Sequence, residues 1–310
     1  MILVRRLILL AGALPLPFLV SIANRAEPES RVILWGLRWV LPALIWGFLP
    51  LGLLLSVAAQ GQPPARVVAD CVSRVRQSTP VTPALPATFK IVSWNIEKGE
   101  DPQWVEDLET LPRPLDLILL QEAFYPSVFG DLLLPGIYES FSEGYQATDR
   151  QTGVLTVARA APELHCALVA YEPWLGTPKA TTVTRYGLSG ASAPLLVVNV
   201  HAVNFELGLD GVSAQLDAIR RVFEGHSGPA ILAGDFNTWS AARQDLLNRL
   251  VQRLQLQPIE FAPDSRTKVF GLPLDHIFIR GLQVLESGST VSTGSDHNPL
   301  WATLTGAGQV

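Results

Sequence analysis

The first sixty residues of the chain are dominated by two apolar runs. The first extends from Leu7 to Ile22 behind Arg5 and Arg6, and the second extends from Trp39 to Ala59 without a charged residue. A helix needs about 20 apolar residues to cross the hydrocarbon core of a bilayer, so the second run is long enough. The first is shorter and contains prolines, which leaves open a second span or a secretory signal. We therefore predict a membrane anchor of one or two transmembrane helices over residues 1–60.

A proline-rich stretch follows this anchor. Residues 61–87 contain five prolines and show no sustained hydrophobic period. Segments of this composition are typical of semi-rigid spacers. We predict that residues 61–87 form a semi-extended tether between the anchor and a domain that covers residues 88–310.

From Phe89 onward, short apolar runs alternate with stretches that have helical periodicity. Ser213 and Ser240 precede two of these stretches and are placed to cap helices that end near Phe223 and Leu254. Apolar runs typical of buried strands are Ile91–Trp94, Leu115–Leu120, Leu195–Val200, Ala230–Ala233 and His276–Ile279. The pattern predicts a single α/β domain.

Composition and charge separate the two parts of the chain. With 48% hydrophobic and 16% charged residues, the chain is neither disordered nor a coiled coil. Residues 1–89 contain eight arginines and three acidic residues, whereas residues 90–310 are acidic and lack a basic run that would follow a nucleic-acid backbone. The two cysteines, Cys71 and Cys166, are too few for a disulfide scaffold or a four-cysteine zinc site, and they leave the redox compartment open.

Polar residues follow the apolar runs at the points where strands should end. Neighbours at i and i+2 in an extended chain point to one face, and the strand ends of α/β sheets are where ligands gather. Carboxylates brought together there need a counter-charge, and oxygen-rich surroundings favour Mg²⁺, Mn²⁺ or Ca²⁺. Each residue could alone be a turn former or a packed histidine. The residues are Asn95, Glu97, Gln121, Glu122, Asn199, His201, Asp235, Asn237, Asp275, Asp296 and His297.

Taken in order, the motifs around these residues resemble the endonuclease/exonuclease/phosphatase superfamily. That superfamily includes deoxyribonuclease I, apurinic endonucleases, inositol polyphosphate phosphatases and neutral sphingomyelinases. The sequences of the motifs are similar to those of the bacterial YafD-type branch. The resemblance runs from about residue 88 onward. The motifs are WNIEKG at 94–99, LQE at 120–122, VNVHAVNF at 198–205, GDFNTW at 234–239, LDHIF at 274–278 and SDHNPL at 295–300.

The resemblance implies a four-layer sandwich, with two packed mixed β-sheets flanked by helices. It also implies a divalent metal, Mg²⁺ or Mn²⁺, as the cofactor. Glu122 matches the main metal-binding glutamate of the family, and Asn95 matches an asparagine that helps to hold metal and phosphate. Asp296 is a second candidate ligand. Glu97 stands where some nucleases carry an aspartate, which makes it a further candidate ligand.

The resemblance also implies that an activated water hydrolyses a phosphate ester. His297 matches the catalytic histidine, and Asp275 matches the acid that orients it. Asp235 and Asn237 match the pair that orients the nucleophile and the scissile phosphate. His201 matches a histidine that contacts the phosphate in several branches of the superfamily.

These observations predict a membrane-anchored, metal-dependent phosphoric ester hydrolase, with a phosphodiesterase or nuclease as the first candidate. A lipid-headgroup phosphodiesterase or phosphatase is the rival, and a non-catalytic scaffold on the same fold is a third possibility. The expected partners are a nucleic-acid or phospholipid-headgroup substrate and a membrane, and no protein partner can be inferred. The anchor and its flanking arginines predict a membrane protein with a cytoplasmic catalytic domain. The resemblance to a bacterial branch implies that the membrane is the bacterial inner membrane.

Overall fold

The computed structural model describes residues 63–77, 82–126, 136–146 and 150–306. The predicted anchor over residues 1–60 lies outside these ranges. Within them, no helix combines the length and apolarity that crossing a bilayer requires. The predicted localisation, an inner-membrane protein with a cytoplasmic catalytic domain, is therefore corrected: the described part of the chain contains no membrane-spanning helix.

Two six-stranded mixed sheets form the body of the described chain. In the first sheet the strand order is β13-β14-β1-β2-β4-β3, and β1 and β2 are its parallel pair. Its strands are β1 (Thr88–Asn95), β2 (Leu117–Tyr125), β3 (Tyr138–Gln146), β4 (Gln151–Ala158), β13 (Leu282–Ser289) and β14 (Leu300–Gly306).

The second sheet has the order β5-β6-β7-β8-β12-β9, and β7 and β8 are its parallel pair. A short hairpin of β10 (Lys268–Val269) and β11 (Leu272–Pro273) lies outside both sheets. The strands of the second sheet are β5 (Leu164–Tyr171), β6 (Pro178–Tyr186), β7 (Leu195–His201), β8 (Ala230–Asp235), β9 (Gln257–Pro258) and β12 (Asp275–Arg280).

The two sheets pack face to face through the alternating residues of their central strands. Ile91 and Leu117 of the first sheet share one buried cluster with Val197 and Ile231 of the second. Alternate residues of the first sheet, such as Val92, point the other way into a different buried cluster. Because both faces of these strands are covered, the strands read as continuous apolar runs in the sequence.

Helices cover the outer faces of the sheets. On the first sheet, α2 (Gln103–Thr110) packs through Trp104 and Leu108. On the second sheet lie α1 (Ala65–Gln77), α3 (Asp210–Phe223) and α4 (Ala241–Arg253), whose apolar faces share one cluster. The predicted arrangement of two packed mixed sheets flanked by helices is confirmed.

The start of one helix was predicted correctly and the start of another was not. The Ser240 side chain accepts a hydrogen bond from the Arg243 N–H at 3.4 Å and caps α4, as expected. Ser213, by contrast, lies inside α3, which begins at Asp210. The carboxylate of Glu206 accepts hydrogen bonds from the N–H groups of Gly211 (2.7 Å) and Val212 (3.0 Å), so it takes the place of a conventional cap.

The structure differs from the predicted semi-extended tether at residues 65–77. These residues form α1, and the apolar face of this helix, including Val68 and Val75, is buried against the second sheet. Cys71 on the same face forms a disulfide with Cys166 of β5. Prolines at both ends of the segment concealed a helix of ordinary amphipathic pattern.

Candidate active site

The functional candidates meet where the two sheets bring the ends of their parallel strands together. Asn95 ends β1, His201 ends β7 and Asp235 ends β8, while Asp275 begins β12 directly opposite Asp235. The side-chain amide of Asn95 donates a hydrogen bond to Asp235 Oδ2 at 3.1 Å. This bond joins the first sheet to the second and places both strand ends in one site.

A histidine–aspartate pair lies at the centre of this site. Nδ1 of His297 is 2.7 Å from Oδ2 of Asp275, and both side chains are buried. Nε2 of His297 points towards Asp235, whose Oδ2 is 3.9 Å away. Burial by itself would lower the pKa of His297, but the charges of Asp275 and Asp235 outweigh it and raise the pKa to about 10. A divalent cation on neighbouring carboxylates would act on this pKa in the opposite direction.

Asp235 is buried and held by amide donors. It accepts hydrogen bonds from the Asn237 backbone N–H at 2.9 Å and from the side-chain amides of Asn95 and Asn237 at 3.1 and 3.3 Å. Asn237 has a φ of 50°, a left-handed conformation that asparagine tolerates better than most residues. Burial raises the pKa of Asp235, and the positive charge of His297 opposes that rise. The turn at Asn237 therefore places two hydrogen-bond donors, its backbone N–H and its side-chain amide, against Asp235.

Glu122 reaches the site through an irregularity in β2. The pairing of β2 with β4 shifts between Leu120 and Ala123, and Glu122 has a φ of 53°. Bulges of this kind re-aim a side chain at the rim of a sheet. Oε1 of Glu122 lies 3.7 Å from Nε2 of His201, and Oε2 lies 3.6 Å from the ammonium of Lys98.

His201 connects Glu122 to the rest of the site. Its Nε2 is 3.7 Å from Oδ2 of Asp235, so the three side chains form a continuous path towards His297. Burial lowers the pKa of His201 well below its ordinary value, and the charges of Lys179 and His297 lower it further. His201 is thus a neutral imidazole at physiological pH.

Glu97 and Asp296 lie at the rim rather than at the centre. Oε2 of Glu97 accepts a hydrogen bond from the Asp296 N–H at 3.1 Å, which ties the loop before His297 to the end of β1. The Asp296 side chain is 65% exposed, and its Oδ1 is 3.9 Å from Nε2 of His297. Two of the polar strand residues, Gln121 and Asn199, point instead into the space between the sheets, where they bond to each other at 2.6 Å.

Two further residues of this site belong to no motif. Lys179, near the start of β6, places its ammonium 2.9 Å from Nε2 of His201. Glu172, which follows β5, lies 3.6 Å from the same ammonium. The sequence shows only a lysine near the start of a predicted strand, and lysines in such positions are ordinarily on the surface. The pattern therefore did not indicate that Lys179 belongs to the site.

The sequence profile of the Endonuclease/Exonuclease/phosphatase family matches residues 92–297. The chain belongs to this family. Curated relatives are UPF0294 proteins of the YafD type. The chain is 37% identical over 219 residues to one from Vibrio parahaemolyticus, covering 70% of this chain and 78% of the relative. It is 41% identical over 221 residues to one from Yersinia pseudotuberculosis, covering 68% and 82%.

Two solved structures have a similar fold. An endonuclease/exonuclease/phosphatase from Beutenbergia cavernae aligns with a TM-score of 0.53 at 15% identity, covering 72% of each chain. The human Nocturnin catalytic domain with bound sulfate aligns with a TM-score of 0.52 at 14% identity, covering 73% of this chain and 97% of that one. At these identities the likeness concerns the fold alone.

Members of this family are generally metal-dependent hydrolases of phosphate esters, and the residues present here fit a divalent cation. Ligand atoms of Asp235, Asp275 and His297 all lie within 4.8 Å of one another. Oδ1 of Asp275 is buried and accepts no hydrogen bond from the described residues. A buried carboxylate oxygen without a donor is costly, and a hard cation such as Mg²⁺ or Mn²⁺ would satisfy it. This close group differs from the predicted ligand set around Glu122. His201 lies between Glu122 and Asp235, so the two sets are neighbouring positions for a cation.

Proposed function

We propose that this protein hydrolyses phosphate esters, with a divalent cation as cofactor and a water molecule as nucleophile. One observation carries the proposal: the buried pair of His297 and Asp275 faces Asp235 at the point where the two sheets meet. Burying ionisable groups this close together costs free energy of folding, and such arrangements are concentrated at functional sites. This cost supports catalysis over a scaffold role.

His297 acts as the general base in this proposal. In the catalytic form Nε2, the ring nitrogen that faces the site, is unprotonated and takes the proton of the water, while Nδ1–H donates to Asp275. A bound cation would favour this form, because its charge lowers the pKa of His297. Asp275 fixes that tautomer and stabilises the imidazolium that forms. Asp235, held by Asn95 and Asn237, orients the water beside Nε2.

The phosphate binds next to these groups, at the side of the site where Glu122 and His201 lie. Of the two candidate positions, we place the cation on the predicted ligands: Glu122, with Asn95 and the rim acids Glu97 and Asp296, would hold it. His297 and Asp275 are then left for the proton transfer. When bound, the cation supplies positive charge for the equatorial oxygens of the phosphate as negative charge develops on them.

A panel of substrates tests the proposal directly. We expect Mg²⁺- or Mn²⁺-dependent release from at least one of bis(4-nitrophenyl) phosphate, 4-nitrophenyl phosphate, plasmid DNA and phospholipid vesicles, and no release in EDTA. Cleavage of DNA alone would identify a nuclease, and cleavage of vesicles alone a headgroup hydrolase. The proposal fails if no member of the panel is hydrolysed in a metal-dependent way.

The role of His297 is tested by substitution. His297→Ala should lower kcat/KM by about 10²- to 10⁴-fold, the range that a general base contributes. His165→Gln is the matched control, because His165 lies on β5 near Ser142 and away from this site. Full activity in His297→Ala would show that the base is another group.

A further inference from the structure

We infer that the ammonium group of Lys179 binds the substrate phosphate, and that Glu172 positions this ammonium group. The inference rests on the proposed function, because it names a binding group of the same site. Nothing in the motifs around Glu122, Asp235 or His297 assigns a role to either residue.

Lys179 is buried where a lysine would otherwise be exposed. Its side chain is only 12% exposed, and its ammonium lies between Nε2 of His201 (2.9 Å) and Oε1 of Glu172 (3.6 Å). Lysine side chains are almost never taken out of water without a paired charge. This lysine is therefore held in place by the fold.

The hydrogen-bond chemistry makes Lys179, rather than His201, the donor at this position. An ammonium has three donor hydrogens and no acceptor, so Nε2 of His201 must accept from Lys179 through its lone pair. The same nitrogen cannot then donate to a phosphate oxygen. Lys179 directs one hydrogen to His201 and is 3.6 Å from Oε1 of Glu172, an ion-pair distance, so hydrogens of the ammonium remain able to turn towards a ligand.

Lys179 also faces the right space. It lines a cleft together with Lys98, Glu122, Thr152 and His201. A phosphate bound beside Glu122 and His201 would therefore contact the ammonium. An ion pair with a purely structural role would not need to line the cleft that contains Glu122, the candidate metal ligand.

Glu172 explains why the ammonium stays at the cleft. Its side chain is buried, and Oε1 also accepts hydrogen bonds from the N–H groups of Asn204 (3.2 Å) and Phe205 (3.5 Å). These bonds tie the end of β5 to the loop that follows His201. Glu172 thus fixes both the loop and the position of the lysine, which makes it a positioning residue.

Binding of inorganic phosphate to the full-length protein tests the inference without requiring turnover. Titration calorimetry in the presence of Mg²⁺ should show that Lys179→Gln weakens phosphate binding at least tenfold. Lys90→Gln is the control, because Lys90 lies at the other end of β1 over the Trp301 ring and should leave the affinity unchanged. Wild-type affinity in Lys179→Gln, or no phosphate binding by the wild type, would overturn the inference.

A second variant covers the case in which Lys179→Gln alone does not fold. The double variant Glu172→Gln/Lys179→Gln removes both charges together and keeps an acceptor for Asn204 and Phe205. It should fold and still bind phosphate at least tenfold more weakly. A double variant that loses thermal stability but binds phosphate like the wild type would reduce Lys179 to a structural role.

The kinetic readout separates this inference from the proposed function. For a hydrolysed substrate, Lys179→Gln should raise KM more than it lowers kcat, and Lys179→Arg should restore part of the loss. Lys179-dependent phosphate binding without hydrolysis of any ester would uphold the inference and defeat the proposed function. Hydrolysis that depends on His297 but not on Lys179 would uphold the proposed function and defeat the inference.

Discussion

At the scale of single residues, the site depends on backbone conformations that most residues avoid. Glu122 and Asn237 both have positive φ values, at 53° and 50°. Left-handed backbone costs a non-glycine residue of the order of 1 kcal/mol or more, and it persists only where the surroundings enforce it. Here the strained residues point a carboxylate and an amide into one site. At these two positions the strain falls on residues that the site needs.

His226 offers a prediction at the same scale, away from the site. Burial lowers the pKa of His226, and the charges of Arg280 and Arg185 lower it further, although its contact with the Pro229 carbonyl opposes them. The unfolded chain binds a proton at this histidine below about pH 6.5, whereas the folded chain does so only at lower pH. The contribution of His226 to the free energy of unfolding should therefore fall as the pH decreases from 7 to 5.

Replacing this histidine removes that contribution. His226→Gln should show a shallower loss of unfolding free energy between pH 7 and pH 5, measured by urea denaturation. At pH 8, where the histidine is neutral in both states, the pH-dependent contribution is absent, so this pH provides the reference for each protein. An unchanged slope in the variant would show that folding does not lower the pKa of His226.

At the scale of elements, the apolar pattern predicted strands better than helix starts. The runs at Ile91–Trp94 and Ala230–Ala233 lie in central strands, because burial on both faces leaves a continuous apolar signal. The start of α3 could not be read in this way, since its cap comes from Glu206, four residues before the helix. A side chain that folds back from a loop leaves no local signature.

The two serines give a matched test of helix capping. Ser240→Ala should lower the free energy of unfolding by about 1 kcal/mol, because the α4 cap loses its acceptor. Ser213→Ala should change it by less than about 0.5 kcal/mol, because alanine suits a helix interior at least as well as serine. Chemical denaturation of both variants measures the difference. Equal effects would contradict this account of the two helix starts.

At the scale of the whole molecule, the ordered motifs predicted the family, the two packed sheets and the meeting of Asn95, Asp235, Asp275 and His297. The family and the two sheets followed from the resemblance of these motifs, whereas the meeting of the side chains was indicated by polar residues at the ends of apolar runs. Lys179 escaped prediction because its burial depends on Glu172, which lies across a hairpin and carries no motif. Helix α1 escaped because the prolines around it suggested an extended tether.

The disulfide between Cys71 and Cys166 joins this unexpected helix to β5 across 95 residues of sequence. Cross-links over long loops stabilise by restricting the unfolded chain, typically by 2–5 kcal/mol. Disulfides also persist in oxidising compartments and are rare in the cytosol, which does not fit the predicted cytoplasmic domain. The structure thus relates the segment at 65–77 to the stability of the two-sheet domain.

Removing the disulfide tests this relation. A Cys71→Ser/Cys166→Ser variant should unfold with about 2–5 kcal/mol less free energy than the oxidised wild type. Dithiothreitol should lower the Tm of the wild type and leave that of the double variant unchanged. If the reductant has no effect on the wild type, the two thiols are not joined in solution.

The path of the chain also governs when the site can first exist. The chain builds most of the first sheet, crosses to the second, and returns with β13 and β14, the last described strands. His297 sits just ahead of β14, which must slot between β1 and β13, whereas Asp275 belongs to the other sheet. During synthesis on the ribosome, His297 therefore emerges after the strands β1 to β13, and the histidine–aspartate pair cannot form before that point.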